Sequence, residues 1–261
     1  MTEAQKDGQR IAKVLARRGV GSRRAVEAMI EAGRIAINGK PVTSPALNVS
    51  GDETFTLDGK PVAEADPPRL WLYHKPAGLV TTERDEKDRP TVFRNLPEDM
   101  PRVVSVGRLD LTSEGLLLLT NDGEIKRRLE LPSTGWLRKY RVRVMGTPDD
   151  ATFEPLRKGI TVDGERFQPM TVTLDRQQGR NAWATVSLRE GRNREIRRAM
   201  DAVGLTVNRL IRVSYGPFRL GDLKPGAVEE VKARVLRDQL GLDAPEKDTR
   251  VTRRPRPPRK R

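Results

Sequence analysis

Residues 116–119 are four consecutive leucines, followed at once by Thr120, Asn121, Asp122 and Gly123. A short apolar block closed by turn-forming residues suits a β-strand buried on both faces; a strand with one wet face would alternate instead. A domain containing such a strand must cover its sheet on both sides. Just upstream, Asp110 stands between Leu109 and Leu111, in a Gly-flanked segment too polar for mid-strand. A carboxylate on a loop against an apolar strand is partly desolvated, and a nearby cation offsets that cost. Loop aspartates also commonly bond to local backbone. Spacing alone leaves both readings of Asp110 open.

The 261 residues contain no cysteine and one histidine, His74. Disulfides, a thiolate nucleophile and a zinc finger are thereby excluded, and so is a histidine metal cluster. Any catalysis must rest on carboxylates, hydroxyls, lysines or arginines. His74 lies in a strand-like segment without a suggested partner and reads as structural or RNA-facing. The N-terminal segment lacks the apolar core of a signal peptide, and no apolar run approaches a membrane span. The expectation is a cytoplasmic protein.

A net charge of +14 points to a polyanionic partner, nucleic acid before membrane. Residues 246–261 carry +6 of this in a Pro- and Arg-rich tail, and the remaining chain is still basic. Within residues 10–40, eight basic side chains face two acidic ones. Ile11, Val14 and Leu15 share one helix face, and Gly19 is placed to end that helix. Ser22 suits an N-cap for a second helix carrying Ala25, Val26, Met29 and Ile30, closed by Gly33. Ile35 and Ile37 then alternate into Asn38-Gly39, a strong hairpin signal. An arginine-rich face is often merely solvated; clustering within two short helices and a hairpin favours nucleic acid.

The Pro-rich break at 64–69 reads as a linker. Beyond it the pattern predicts a strand at 70–75, a mobile polar loop at 83–90, short helices at 91–96 and 124–129, and strands at 139–144, 170–174, 182–188, 208–215 and 228–231. A further helix is expected through Leu240. In 139–144, Tyr140, Val142 and Val144 share one face, so Tyr140 is either core or a ring presented to a ligand. In 190–204, Asn193 is expected to cap a helix with Ile196, Met200 and Val203 inward and Arg194, Arg197 and Arg198 outward. Arg192, at the preceding strand-to-helix turn, is a candidate partner for a buried carboxylate. The fold class is α+β: a small N-terminal helix-helix-hairpin domain, then a mixed, mostly antiparallel sheet with packed helices. The expected boundaries are 8–64, a linker at 65–69, 70–243 and a disordered tail at 244–261.

The stretch SRRAVEAMIEAGRIAINGKPV resembles the small RNA-binding domain shared by a small-subunit ribosomal protein, tyrosyl-tRNA synthetases and several RNA-modifying enzymes. That resemblance makes Arg10, Arg23, Arg24 and Arg34 the phosphate contacts to test. The order GRLD…GLLLLTNDGE, KYRV, EGRNREIRR and RLIRVSYGPF resembles the RsuA/RluB-type ribosomal RNA pseudouridine synthases over nearly the whole chain. HKPAGLVTT and DRPTVFRNLP are more similar to the RluB branch, which implies large-subunit ribosomal RNA as substrate. The resemblance further implies that Asp110 is the catalytic aspartate, that Tyr140 stacks on the target base and that Arg192 pairs with the aspartate. Leu210 would pack beneath the site, with Arg108 in the substrate pocket. Where family members often carry His-Gln, this chain has Arg194-Glu195. No cofactor, metal or membrane is implied, and a monomer is expected. Rival readings are an RNA-binding ribosome-assembly factor without catalysis, and a synthase acting on small-subunit ribosomal RNA or transfer RNA.

Overall fold

The structure is a computed structural model that describes residues 8–241. The basic tail expected at 244–261 lies outside the described residues. The N-terminal unit comprises β1 (Gln9–Arg10), α1 (Ile11–Arg17), α2 (Arg23–Glu31), β2 (Ile35–Ile37), β3 (Lys40–Val42), β4 (Asn48–Val49), β5 (Phe55–Leu57) and β6 (Lys60–Pro61). Its local signals act as chemistry dictates. The Ser22 hydroxyl accepts the Ala25 N–H at 3.1 Å, satisfying a first-turn donor of α2. Asn38 and Gly39 both take positive φ, which a two-residue turn between β2 and β3 requires. Ile11, Leu15, Val26, Ile30, Ile35 and Phe55 then close a small core.

The larger unit runs β7 (Leu70–Lys75), β8 (Val104–Val106), β9 (Ser113–Thr120), α3 (Gly123–Glu130), β10 (Arg138–Met145), α4 (Glu154–Lys158), β11 (Thr161–Val162) and β12 (Glu165–Arg166). It continues through β13 (Thr171–Gln178), β14 (Asn181–Leu188), α5 (Glu195–Ala202), β15 (Thr206–Tyr215), β16 (Phe218–Arg219), β17 (Val228–Glu230) and α6 (Ala233–Leu240). Its main sheet has the order β13-β14-β10-β15-β9-β7-β17, with β16 on β15 and β8 on β9. Pairing in this sheet is antiparallel except between β9 and β15, which run parallel from Leu210 opposite Ser113 to Arg212 opposite Gly115.

The leucine block sits in β9, and all four side chains are fully buried. Leu117 and Leu119 join Trp71, Tyr73, Val142, Val144, Ile196 and Met200 on one face of the sheet. Leu116 and Leu118 join Ile125, Leu129 and Leu236 on the other. Each such leucine contributes roughly 1.5–3 kcal/mol relative to an exposed one, so helix cover on both sides is energetically required. Gly115 sits where β9 and β15 meet. Its φ is +99°, and a Cβ there would lie 2.3 Å from the Arg212 carbonyl oxygen, so only glycine fits the approach.

Particular contacts refine several local expectations. The 83–90 loop is tied down internally: Asp85 accepts Arg89 Nε at 3.0 Å and Nη2 at 2.7 Å, and also the backbone N–H groups of Lys87 and Arg89. The 91–96 segment forms only a 3-10 turn at Phe93–Asn95. His74 Nδ1 lies 2.7 Å from the Leu223 carbonyl oxygen, a structural contact.

Candidate active site

The loop carrying Asp110 is held by its backbone. The Gly107 N–H donates to Glu130 Oε1 at 2.6 Å, and the Thr81 hydroxyl donates to the Leu109 carbonyl at 2.8 Å. The Gly78 N–H donates to Leu111 O at 2.8 Å, and the Ser113 N–H to Asp110 O at 3.0 Å. Beneath it, the fully buried Lys75 Nζ donates to Ser113 O at 2.9 Å and Pro76 O at 3.0 Å. Burial pushes the Lys75 ammonium down to about 8, against the attraction of Asp110 and Glu114. With the loop fixed by other groups, the Asp110 carboxylate accepts no hydrogen bond among the described residues and remains about one-third exposed. The local-capping reading of Asp110 therefore fails. Its carboxylate is presented to a cleft.

That cleft has a volume of about 630 Å³. Asp110, Arg108, Tyr140, Leu210, Arg192 and Arg194 all line it. Tyr140 reaches it from β10 and is 8% exposed, so the core reading and the ligand-facing reading describe two ends of one ring. Leu210 reaches it from β15, where it stands opposite both Val142 and Ser113. Arg108 is exposed beside Asp110.

Arg192 requires a correction. It lines the cleft, but its guanidinium is taken by Glu190 at 2.8 Å and Glu165 at 2.7 Å, which hold its pKa above the usual arginine value. The cation facing the Asp110 carboxylate is Arg194, with Nη1 at 3.9 Å from Oδ2. The reason is local. Arg194 adopts a left-handed conformation, φ +49°, at the N-cap of α5, which turns its side chain across the cleft. Asn193 accordingly does not cap the helix.

Arg197 was expected outward, yet it is buried. Its Nη1 donates to Val207 O at 3.0 Å and its Nη2 to Thr112 O at 3.3 Å, two residues from Asp110. Burial and the charge of Arg194 depress its pKa, while Asp110 raises it. With Lys75 it is one of two buried cations behind the Asp110 loop. An arginine one position from a buried isoleucine was the only sequence signal available.

The N-terminal arginines divide. Arg23 and Arg24 are exposed and form neither hydrogen bonds through their guanidinium groups nor ion pairs among the described residues. Arg10 donates to the Ala46 carbonyl. Arg34 is engaged bidentately by Asp58, with Nε at 2.9 Å and Nη2 at 2.5 Å. Arg23 also lines a second cleft, between the two units, with Lys13, Arg17, Arg102, Lys126 and Arg127.

Two family models match: the RNA pseudouridylate synthase family over residues 69–202 and the S4 domain over residues 9–55. The chain is 43% identical over 231 residues to an uncharacterised RNA pseudouridine synthase of Rickettsia prowazekii, spanning 88% of this chain and 97% of that one. The chain belongs to the RNA pseudouridine synthase family. Within it, the chain is also similar to the ribosomal large subunit pseudouridine synthase B of Haemophilus influenzae, at 40% identity over 91% of this chain and 70% of the relative. The corresponding Yersinia pestis protein is 42% identical over 90% of this chain and 77% of its own length. A crystal structure of a pseudouridylate synthase superposes with a TM-score of 0.63 at 22% identity, covering 88% of this chain, and shows the shared synthase fold. The synthase is therefore of the RsuA/RluB type, an S4 domain joined to a mixed-sheet catalytic domain.

No candidate metal cluster occurs among the described residues, and no helix among them is long and apolar enough to cross a membrane.

Proposed function

We propose that this synthase isomerises a specific uridine of ribosomal RNA, in the large subunit, with Asp110 as the catalytic carboxylate. The observation that carries this reading is a carboxylate that accepts no hydrogen bond among the described residues, backed by Lys75 and Arg197 and opening into a cleft beside Tyr140. The naming of two relatives as ribosomal large subunit synthases supports the substrate.

Isomerisation requires cleavage of the N1–C1′ bond, rotation of the freed base and rejoining through C5. A positioned carboxylate either attacks C1′ or takes the C2′ proton, and both routes need an ionised, unencumbered oxygen. Extruding the uridine from its stack costs a few kcal/mol. Stacking on the Tyr140 ring returns ~1–3 kcal/mol. Leu210 supplies apolar contact at the floor, and Arg108 a cation at the rim. Arg23 and Arg24 anchor phosphates from the N-terminal domain, while Arg10 and Arg34 contribute less because their guanidinium groups are already engaged.

Mapping pseudouridines in ribosomal RNA from cells with and without the gene tests the reading. One large-subunit site should disappear and return with the wild type but not with Asp110→Asn. A missing small-subunit site would overturn the substrate assignment, and an unchanged ribosomal RNA would overturn it altogether.

A further inference from the structure

Two carboxyl groups meet beside the cleft, one of which, Glu195, lines it. Glu195, the first residue of α5, is 4% exposed. Its Oε2 accepts the Arg192 N–H at 2.9 Å, and its Oε1 is buried without a partner among the described residues. Glu190, after the end of β14, lies beside it, for the two carboxyl groups hold the same residue, Glu195 the Arg192 backbone N–H and Glu190 its Nε. Glu190 is otherwise committed: Oε1 accepts the Gln168 N–H at 2.5 Å, and Oε2 accepts Arg192 Nε at 2.8 Å. Two ionised carboxylates are acceptors only, so the orphaned Glu195 oxygen gains a partner in Glu190 only if one of the two groups carries a proton.

The surroundings decide which group holds it. Arg192 and the Gln168 N–H stabilise Glu190 as the anion and keep its pKa below the usual range, against the effect of burial. Burial first, and the contact with Glu190 second, push Glu195 up to about 8. The other charged groups nearby do not reverse this. Glu165 on β12 reaches the pair only through Arg192, and Arg194 is turned toward Asp110. Arg138 of β10, close to Gly191, spends its Nη1 on the Arg189 and Trp136 carbonyls.

We propose that Glu195 is a positioning residue that works as the neutral acid, its proton bridging to Glu190 and clamping the 190–195 turn against the cleft. The inference rests on reading the cleft as the synthase site. The clamp fixes Arg192 through Glu190 and sets the left-handed Arg194 that faces Asp110. Loss of the bridging proton leaves two adjacent anions, and the turn must open to let water reach them. Glutamine is the isosteric test, because its amide N–H can donate to Glu190 at every pH.

The experiment compares wild type, Glu195→Gln and Glu195→Ala in single-turnover reactions on a ribosomal RNA fragment between about pH 6.5 and 9, and follows thermal unfolding over a wider range. Above about pH 8 the wild-type rate should fall up to tenfold per pH unit relative to Glu195→Gln. Titration of the uridine itself acts on all three proteins alike and cancels in that ratio. At neutral pH glutamine should rescue the rate that alanine loses. The stability contribution of a group whose folded pKa is raised is complete below its ordinary value and is lost as pH rises through the folded one. Wild-type Tm should therefore fall relative to Glu195→Gln from about pH 4.5 through 8. An inactive Glu195→Gln, or an unchanged wild-type-to-Gln ratio across the range in both measurements, would overturn the proton clamp. A normal Tm difference with a wild type inactive on every ribosomal RNA fragment would instead overturn the functional reading and leave the clamp standing.

Discussion

Glu130 Oε1 accepts the backbone N–H of Gly107 at 2.6 Å, three residues before Asp110. Glu130 closes α3. The opposite end of the same helix is held by the S4 domain, through Arg17 on Asp122 at 3.0 Å and Lys13 on Glu124. One short helix thus touches the RNA-binding domain at its first turn and the Asp110 loop at its last.

Replacing Glu130 by alanine leaves the Gly107 N–H without its carboxylate acceptor. An unpaired, partly buried donor costs up to about 1–3 kcal/mol, and the loss falls on loop geometry rather than on RNA contacts. A fall of about tenfold or more in kcat with a nearly unchanged KM is expected from steady-state kinetics.

Asp110→Asn keeps the shape of the loop, since the carboxylate contributes none of its hydrogen bonds. Turnover should drop by more than about 10³-fold while RNA affinity in a filter-binding assay stays within about twofold. Measurable turnover at the wild-type rate would remove Asp110 from its role.

The two arginines near Asp110 should behave differently. Arg194 is half exposed at 3.9 Å, so its pair is screened and worth at most about 1 kcal/mol; Arg194→Ala should slow single turnover only several-fold. Arg197 is buried on two carbonyls, and Arg197→Ala should cost about 3–5 kcal/mol of stability by denaturant titration, with a much larger rate loss. The reverse ranking would show that the exposed arginine is the one the chemistry uses.

Lys75 gives a pH signature in stability. Its folded pKa of about 8 lies below the ordinary lysine value, so the native state releases the proton first as pH rises. A depressed folded pKa contributes stability that is present above the unfolded value and lost as pH falls through the folded one. Relative to Lys75→Met, the wild-type Tm should rise between about pH 8 and 10.5. A flat difference between the two proteins would place Lys75 in a wetter site than its carbonyl contacts imply.

Gly115→Ala should destabilise by several kcal/mol, because the added methyl group meets the Arg212 backbone rather than a movable side chain. Thermal unfolding would show it as a large loss of Tm; a variant with wild-type Tm would mean that β9 and β15 can part without cost.

Legibility in the sequence followed the range of the interactions. Ser22, Asn38-Gly39 and the alternation of Tyr140, Val142 and Val144 act over a few residues, and the structure places them as the pattern predicts. The leucine block announced two buried faces because only a doubly covered strand can dispense with polar positions. Arg197 was not legible: three arginines at 194, 197 and 198 look like one solvated stripe, and the acceptors that draw Arg197 inward come from Thr112 and Val207. Arg192 failed for the same reason, since Glu165 arrives from a separate hairpin. The positive φ of Arg194 breaks an ordinary backbone preference, so no capping rule could reveal it.

The parallel seam between β9 and β15 also sets a sequence of events. Ser113 and Leu210 face each other there although about a hundred residues of chain separate them, a closure whose entropic cost is met only after both strands exist. Asp110 precedes the seam, while Arg194 and Arg197 arrive just before its second strand. While residues 111–193 are being made, the carboxylate therefore has neither Arg194 nor Arg197 beside it and no Leu210 floor. Competence comes late and all at once, when β15 docks.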